Sequence, residues 1–236
     1  MISVCIPTYN GEKYISEQLA SILSQIGAQD EIIVSDDGSV DHTLSIIKNM
    51  ADSRIKLING AGKHSVTKNV EVALSQAQGD YIFLADQDDV WFPNKVEIFM
   101  QWLQKYDCVV SDAVVVDENL RLKSPSLYRV MNVRKGRLYN TFWKNGYTGC
   151  CMAFTKRVKD YALPFPDQIP MHDIWIGNVA AYHFKVVFIP KPLIYFRRHG
   201  ATISCNTYGS KFSWRDKIRF RWNIVKCLCL LKQNKR

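Results

Sequence analysis

A chain of 236 residues with 47% apolar and 22% charged side chains has an ordinary globular composition, which excludes a collagen, a disordered regulator and a low-complexity linker. The length fits one large domain or two small ones around a continuous sheet, and no apolar run reaches the roughly 18 residues of a membrane span. The formal charge of +9 sits at one end: residues 206–236 hold nine Lys/Arg and one acid, leaving the other 205 residues at +1.

A near-neutral body without basic residues interleaved with aromatics argues against a nucleic-acid-binding face. Seven cysteines, an odd number with no C-x-x-C, read as reduced thiols rather than bridges or a zinc site. Met1 leads straight into an apolar strand with no secretory leader, so a cytoplasmic protein is expected.

In chain order, Ile2–Ile6 read as a strand stopped by Pro7, and Asn10 is placed to cap a helix carrying Ile15, Leu19, Ile22 and Ile26. Glu31–Ser35 form a second strand, followed by a helix on Leu44, Ile47 and Met50 and a short strand at Ile55–Ile58. A third helix spans about Val66–Gln78, a buried-type strand covers Tyr81–Ala85, and Pro93 suits the first turn of a helix through Leu103. This alternation predicts an α/β fold with a mostly parallel, doubly wound (Rossmann-like) sheet flanked by helices.

Beyond Tyr106 the pattern is mixed. Cys108–Val116 read as a strand, Asp117–Gly146 have neither period, and Tyr147–Phe154 form a strand. Met171–Tyr182 form a helix, and Lys185–Ile189 and Leu193–Arg197 form two further strands. From Ser210, Trp214, Ile218, Trp222, Val225 and Cys229 alternate with Arg215, Arg219 and Lys226 as a basic amphipathic helix. It suits an anionic membrane surface, or alternatively packs on its own body, and Cys227 with Cys229 could join a homodimer contact.

Three of the strands end in polar clusters: Thr8-Tyr9-Asn10, Asp36-Asp37-Gly38-Ser39 and Asp86-Gln87-Asp88-Asp89. Ligands of open α/β sheets bind at the carboxyl ends of strands, so these clusters converge on one crevice. Neither G-x-G-x-x-G nor a Walker A loop is present to make it a dinucleotide or P-loop site. An Asp-rich surface turn is the plain explanation of the third cluster. Against it, carboxylates this close repel unless a cation lies between them, and Mg²⁺ is usually held by one or two carboxylates plus phosphate oxygens.

The ordered set Pro7-Thr8-Tyr9-Asn10, Asp36-Asp37-Gly38-Ser39 with Asp41, and Asp86-Gln87-Asp88 resembles the glycosyltransferases of family 2, with the GT-A fold, over roughly residues 1–200. The form Asp86-Gln-Asp-Asp-Val-Trp91 resembles the rhamnosyltransferase subgroup. The resemblance implies a nucleotide-sugar-binding half at 1–106, an acceptor-binding half of the same domain at 107–205, and a tail at 206–236. It implies Asp88 as chief ligand of Mg²⁺ or Mn²⁺, Asp86 beside the metal or the donor ribose, and His199 as a further metal or phosphate contact. Pro7, Thr8, Tyr9 and Asn10 would line the nucleotide, Asn69 would touch the donor, and Asp36 or Asp37 would accept the N3–H of a uracil or thymine. Asp173, opening a helix after Pro170, would be the general base, with His172 its neighbour.

The expected activity is inverting, metal-dependent transfer of a sugar, rhamnose among the candidates. The donor would be a UDP- or dTDP-sugar and the acceptor a saccharide or lipid-linked acceptor in surface polysaccharide synthesis, at the inner face of the cell membrane. Local alternatives are a first-turn role for Asp173, a solvated Arg197–Arg198 pair, core packing for Gly149-Cys150-Cys151-Met152, and surface or packing roles for His42, His64 and His183. Two other classes compete. A haloacid-dehalogenase-type phosphotransferase would use Asp86-x-Asp88, but places that signature after its first strand rather than its fourth. A non-catalytic membrane-surface module would use only the tail.

Overall fold

The structure, a computed structural model, describes residues 1–199 and 213–234. The 205/206 boundary, Cys205, Lys211, Lys235 and Arg236 lie outside these residues.

Strands β1 (Ile2–Thr8), β2 (Glu31–Asp36), β3 (Ile55–Asn59) and β4 (Tyr81–Leu84) are parallel, in the order β3-β2-β1-β4. Helices α1 (Ile15–Leu23), α2 (Thr43–Asn49) and α3 (Val66–Gln76) make the crossovers. Every residue of β2 is buried, as in strands covered on both faces. β1 runs one residue past Pro7, which lies beyond the last pair to β4 at Cys5–Leu84, so its missing N–H breaks no bond on that side. Ser65 caps α3, its hydroxyl accepting the Lys68 N–H.

Two start signals read differently in the fold. Asn10 does not cap α1: its φ is +48°, and its Oδ1 accepts the Val40 N–H at 2.9 Å. Gly11 O instead receives the Tyr14 and Ile15 N–H groups. Pro93 stands outside α4 (Lys95–Leu103), whose N-cap is Asn94.

The second half continues the same sheet as β4-β8-β6-β9-β5, with β7 (Leu122–Ser124) on β6 (Cys108–Val116). β8 (Met152–Thr155) is antiparallel to both neighbours, β9 (Val186–Arg197) is parallel to β6, and β5 (Val90–Trp91) is antiparallel to β9. The expected pair of strands at 185–197 is one strand. Its register to β6 jumps from Ile189 to Pro192, so the proline segment bulges without ending the strand. Of the expected strand Tyr147–Phe154, Gly149–Cys151 form a 3-10 turn before β8. The stretch read as aperiodic contains β7, α5 (Leu127–Met131) and α6 (Arg137–Phe142), elements of three to six residues, too short to show a period.

α7 (Lys156–Ala162) and α8 (His172–His183) cover the far half. A Cβ on Gly177 of α8 would run into the ring of buried Tyr147. Gly177→Ala is therefore expected to cost about 1–3 kcal/mol through overpacking, seen as a melting temperature lowered by several degrees. α9 (Trp214–Asn234) turns Ile224, Cys227 and Leu228 onto the body, so packing and an exposed amphipathic face coexist in one helix. Cys227, buried there, does not offer itself to a dimer contact as the sequence suggested, whereas Cys229 is exposed.

Candidate active site

The carboxyl ends of β1, β2 and β4 are adjacent, and hydrogen bonds tie their loops together. Gln87 grips the backbone of Tyr9 at both ends, accepting its N–H at 2.9 Å and donating to its carbonyl at 3.1 Å. Gln18 donates to the Asp86 carbonyl at 2.8 Å. Asp36 accepts from the Thr8 hydroxyl, the Ser39 hydroxyl and the Gly38 and Ser39 N–H groups, which occupies both its oxygens. Asp37 folds the following loop by accepting from the N–H groups of Gly62, Lys63 and Ser65, only the last on Oδ2 among the described residues.

Pro7, half-buried, is the next-to-last residue of β1, behind these loops. Tyr9 is exposed, with its ring edge-on to His64 at 4.8 Å, so His64 flanks this crevice. Asn69 is placed differently from the expectation of a donor contact. It is buried behind the crevice, donating to the Thr8 and Ser35 carbonyls and accepting from the Ser35 hydroxyl. Its amide braces β1 against β2.

The acidic turn divides into two faces. Asp88 points outward to His199, with Oδ2 and Nε2 2.8 Å apart. Asp86 and buried Asp89 gather with Cys150, their ligand atoms lying within 4.8 Å of one another. Burial, followed by the charges of Asp88 and Asp173, pushes Asp86 up to about 7. Burial also pushes Asp89 well above the usual carboxylate range, and its Oδ2 has no hydrogen-bond partner among the described residues.

Lys95 is buried beside this group, donating to the Cys150 carbonyl at 2.7 Å and lying 4.1 Å from the centre of the Trp91 ring. Burial brings it down to about 8, against the pull of nearby Asp89 and Asp86. Crowded carboxyl groups that resist ionising together, an unpartnered oxygen on Asp89 and, beside them, the oxygen–imidazole pair of Asp88 and His199 are donors of the kind a divalent cation takes.

Arg197 is no solvated residue. Buried at the end of β9, it donates to the carbonyls of Asp88 (2.7 Å) and Glu118 (2.6 Å) and pairs with Glu17, while its N–H bonds Asp89 at 3.0 Å. It thereby fixes the acidic turn and delivers His199 two residues on. Tyr14 lies between them, 4.6 Å from the guanidinium and 4.9 Å from the His199 ring.

Asp173, in the first turn of α8, accepts the Ile174 N–H at 2.7 Å and is raised by burial. Its Cβ would lie 3.7 Å from a Cβ on Gly149, the residue before the Cys150 that gathers with Asp86 and Asp89. His172 is buried and driven down by burial, a neutral neighbour packed on Gly149, where a Cβ would meet its Nε2 at 2.9 Å. The structure thus brings Asp86, Asp88, His199 and Asp173 to one end of the sheet. Lys95 was not singled out from sequence, and Arg197 stood there only as half of a solvated pair. Gln87 and Asp89 were visible as members of the acidic run, without the roles the fold gives them.

A mixed GT-A-type sheet bearing an acidic centre on its carboxyl edge defines the class. The model of glycosyl transferase family 2 matches residues 3–162, and the chain belongs to that family of nucleotide-sugar-dependent glycosyltransferases. It is 28% identical to the UDP-Glc:alpha-D-GlcNAc-diphosphoundecaprenol beta-1,3-glucosyltransferase WfgD of Escherichia coli, over 95% of this chain and 85% of that protein. It is also 28% identical to the dTDP-rhamnosyl transferase RfbG of Shigella flexneri, over 91% of this chain and 79% of that protein. Among solved structures, that of S. aureus TarS 1–349 in complex with UDP-GlcNAc matches with a TM-score of 0.70 at 21% identity, over 98% of this chain and 66% of that one. Family membership removes both the phosphotransferase and the non-catalytic alternatives.

Proposed function

We propose that this glycosyltransferase is inverting and metal-dependent, moving a sugar, rhamnose among the candidates, from a UDP- or dTDP-sugar. The acceptor is a saccharide or lipid-linked acceptor in surface polysaccharide synthesis, met at the inner face of the membrane. One observation carries this reading: Asp86, Asp88, His199 and Asp173, drawn from three separate segments, converge at the carboxyl edge of the parallel strands. The relatives' UDP-glucose and dTDP-rhamnose chemistry supports the donor class.

Asp88 and His199, with Asp86 alongside, would hold Mg²⁺ or Mn²⁺, which supplies Lewis acidity to the departing diphosphate. Thr8, Tyr9 and Asn10 border the nucleotide seat. Of the two adjacent aspartates, Asp37 is the better partner for a pyrimidine N3–H, because its Oδ2 keeps an acceptor position that Asp36 lacks. Asp173, raised by burial, is more basic than an exposed carboxylate and accepts the acceptor hydroxyl proton. The hydroxyl oxygen bonds to the anomeric carbon as the bond to the diphosphate breaks on the opposite side. One displacement inverts the centre and releases UDP or dTDP.

Thermal-shift titration with UDP-, dTDP- and GDP-sugars, with and without Mn²⁺, tests the donor and metal. UDP or dTDP donors at about 100 times Kd should add about 2.7 kcal/mol of apparent stability, and only with the ion present. Release of inorganic phosphate, or no nucleotide-dependent shift, overturns the reading.

A further inference from the structure

We propose that the outer face of α9, extended by the Phe142–Trp143 segment to which it is hooked, docks on an anionic lipid bilayer. α9 has two different sides. Ile224, Cys227 and Leu228 are buried against the body, while Trp214, Ile218 and Trp222 recur every fourth residue on the other side. Trp214 and Trp222 remain 67% and 69% exposed, and Ile218 58%. A helix whose sole task was to cover the body would have one apolar stripe, not a second one facing outward.

The neighbouring element enlarges this face. Arg221 reaches across from α9 and donates to the Phe142 carbonyl at 2.7 Å and to the Trp143 carbonyl. Those bonds hold the end of α6 against the helix while leaving the side chains outside, with Trp143 75% and Phe142 51% exposed. Three highly exposed tryptophans are thus collected on α9 and the residue that follows α6. Tryptophan, with an apolar ring and one N–H, suits the boundary between acyl chains and headgroups.

Charge selects the occupant. Arg215, Arg219 and Lys226 are exposed along the same helix, and the lone acid, Asp216, is already paired with Arg219 at 2.8 Å. An aromatic stripe edged by cations complements a bilayer rich in anionic headgroups. A self-associating interface would instead be depleted of charge at its core. The purpose rests on the lipid-linked acceptor of the reading above, since docking would bring the enzyme to that acceptor in two dimensions, but the binding itself is independent of catalysis.

The experiment uses the full chain in flotation with vesicles of phosphatidylcholine alone or mixed with phosphatidylglycerol. Two variants are compared, W143S/W214S/W222S and R215Q/R219Q. Wild type is expected to float with the anionic vesicles alone, with a blue-shifted tryptophan emission, and to detach as salt rises. Each variant should lose at least tenfold in partitioning while keeping the wild-type melting temperature and Mn²⁺-dependent UDP affinity. That separate UDP titration reports on the glycosyltransferase reading, so either idea can fail alone. Wild-type protein that stays with the buffer, or a triple variant that floats as wild type does, overturns the proposal. So does a concentration-dependent dimer abolished by the triple variant, which would give the face to a second copy of the chain.

Discussion

Asp88→Ala is expected to abolish detectable transfer, lowering kcat/KM by about 10³-fold or more, since several kcal/mol of charge stabilisation on the leaving diphosphate goes with a metal ligand. The fold should survive. The Asp88 side chain has His199 as its hydrogen-bonding partner, whereas its carbonyl, held by Arg197, is untouched by the substitution. Melting within a few degrees of wild type, together with loss of the Mn²⁺-dependent part of UDP affinity in calorimetric titration, is the expected pair of results. Undiminished Mn²⁺-dependent UDP binding by the variant would remove Asp88 from the metal site.

Asp173→Asn should separate chemistry from binding. Asparagine keeps the shape and can still accept the Ile174 N–H, but cannot take up a proton from an acceptor hydroxyl. Turnover is expected to fall roughly 10²–10⁴-fold at saturating acceptor, with UDP affinity near wild type. Should the variant keep more than about a third of the wild-type rate, the base lies elsewhere, and the carboxylate merely favours the start of α8.

What was legible in the sequence follows how local each signal is. The four parallel strands stood out because each is a short apolar run followed by a helix-period segment. The three polar clusters stood out because each lies at the end of such a run. Asp36 and Asp37 could not be told apart from sequence. Their difference lies in which backbone N–H groups each accepts, and Gly62, Lys63 and Ser65 come from a loop some 25 residues on. Asn69 was misplaced for the same reason: an amide at a helix start can face the crevice or brace the strands, and only packing decides. Arg197 beside Arg198 looks like a solvated charge pair until β9 is laid parallel to β6 and carries it under the acidic turn.

The reach of Arg197 also bears on when in the life of the molecule the centre can exist. Its partners Glu17, Asp88 and Glu118 precede it by 180, 109 and 79 residues, and His199 follows immediately behind. A nascent chain can pair β1, β2, β3 and β4 early, because every partner in that set lies before residue 85. It cannot seat the acidic turn against Arg197 and His199 until residue 199 has left the ribosome. At about 5–20 residues per second, the first four strands wait several seconds for the strand that completes the centre. Products ending before β9 therefore lack both Arg197 and His199 and cannot form the Asp88–His199 pair.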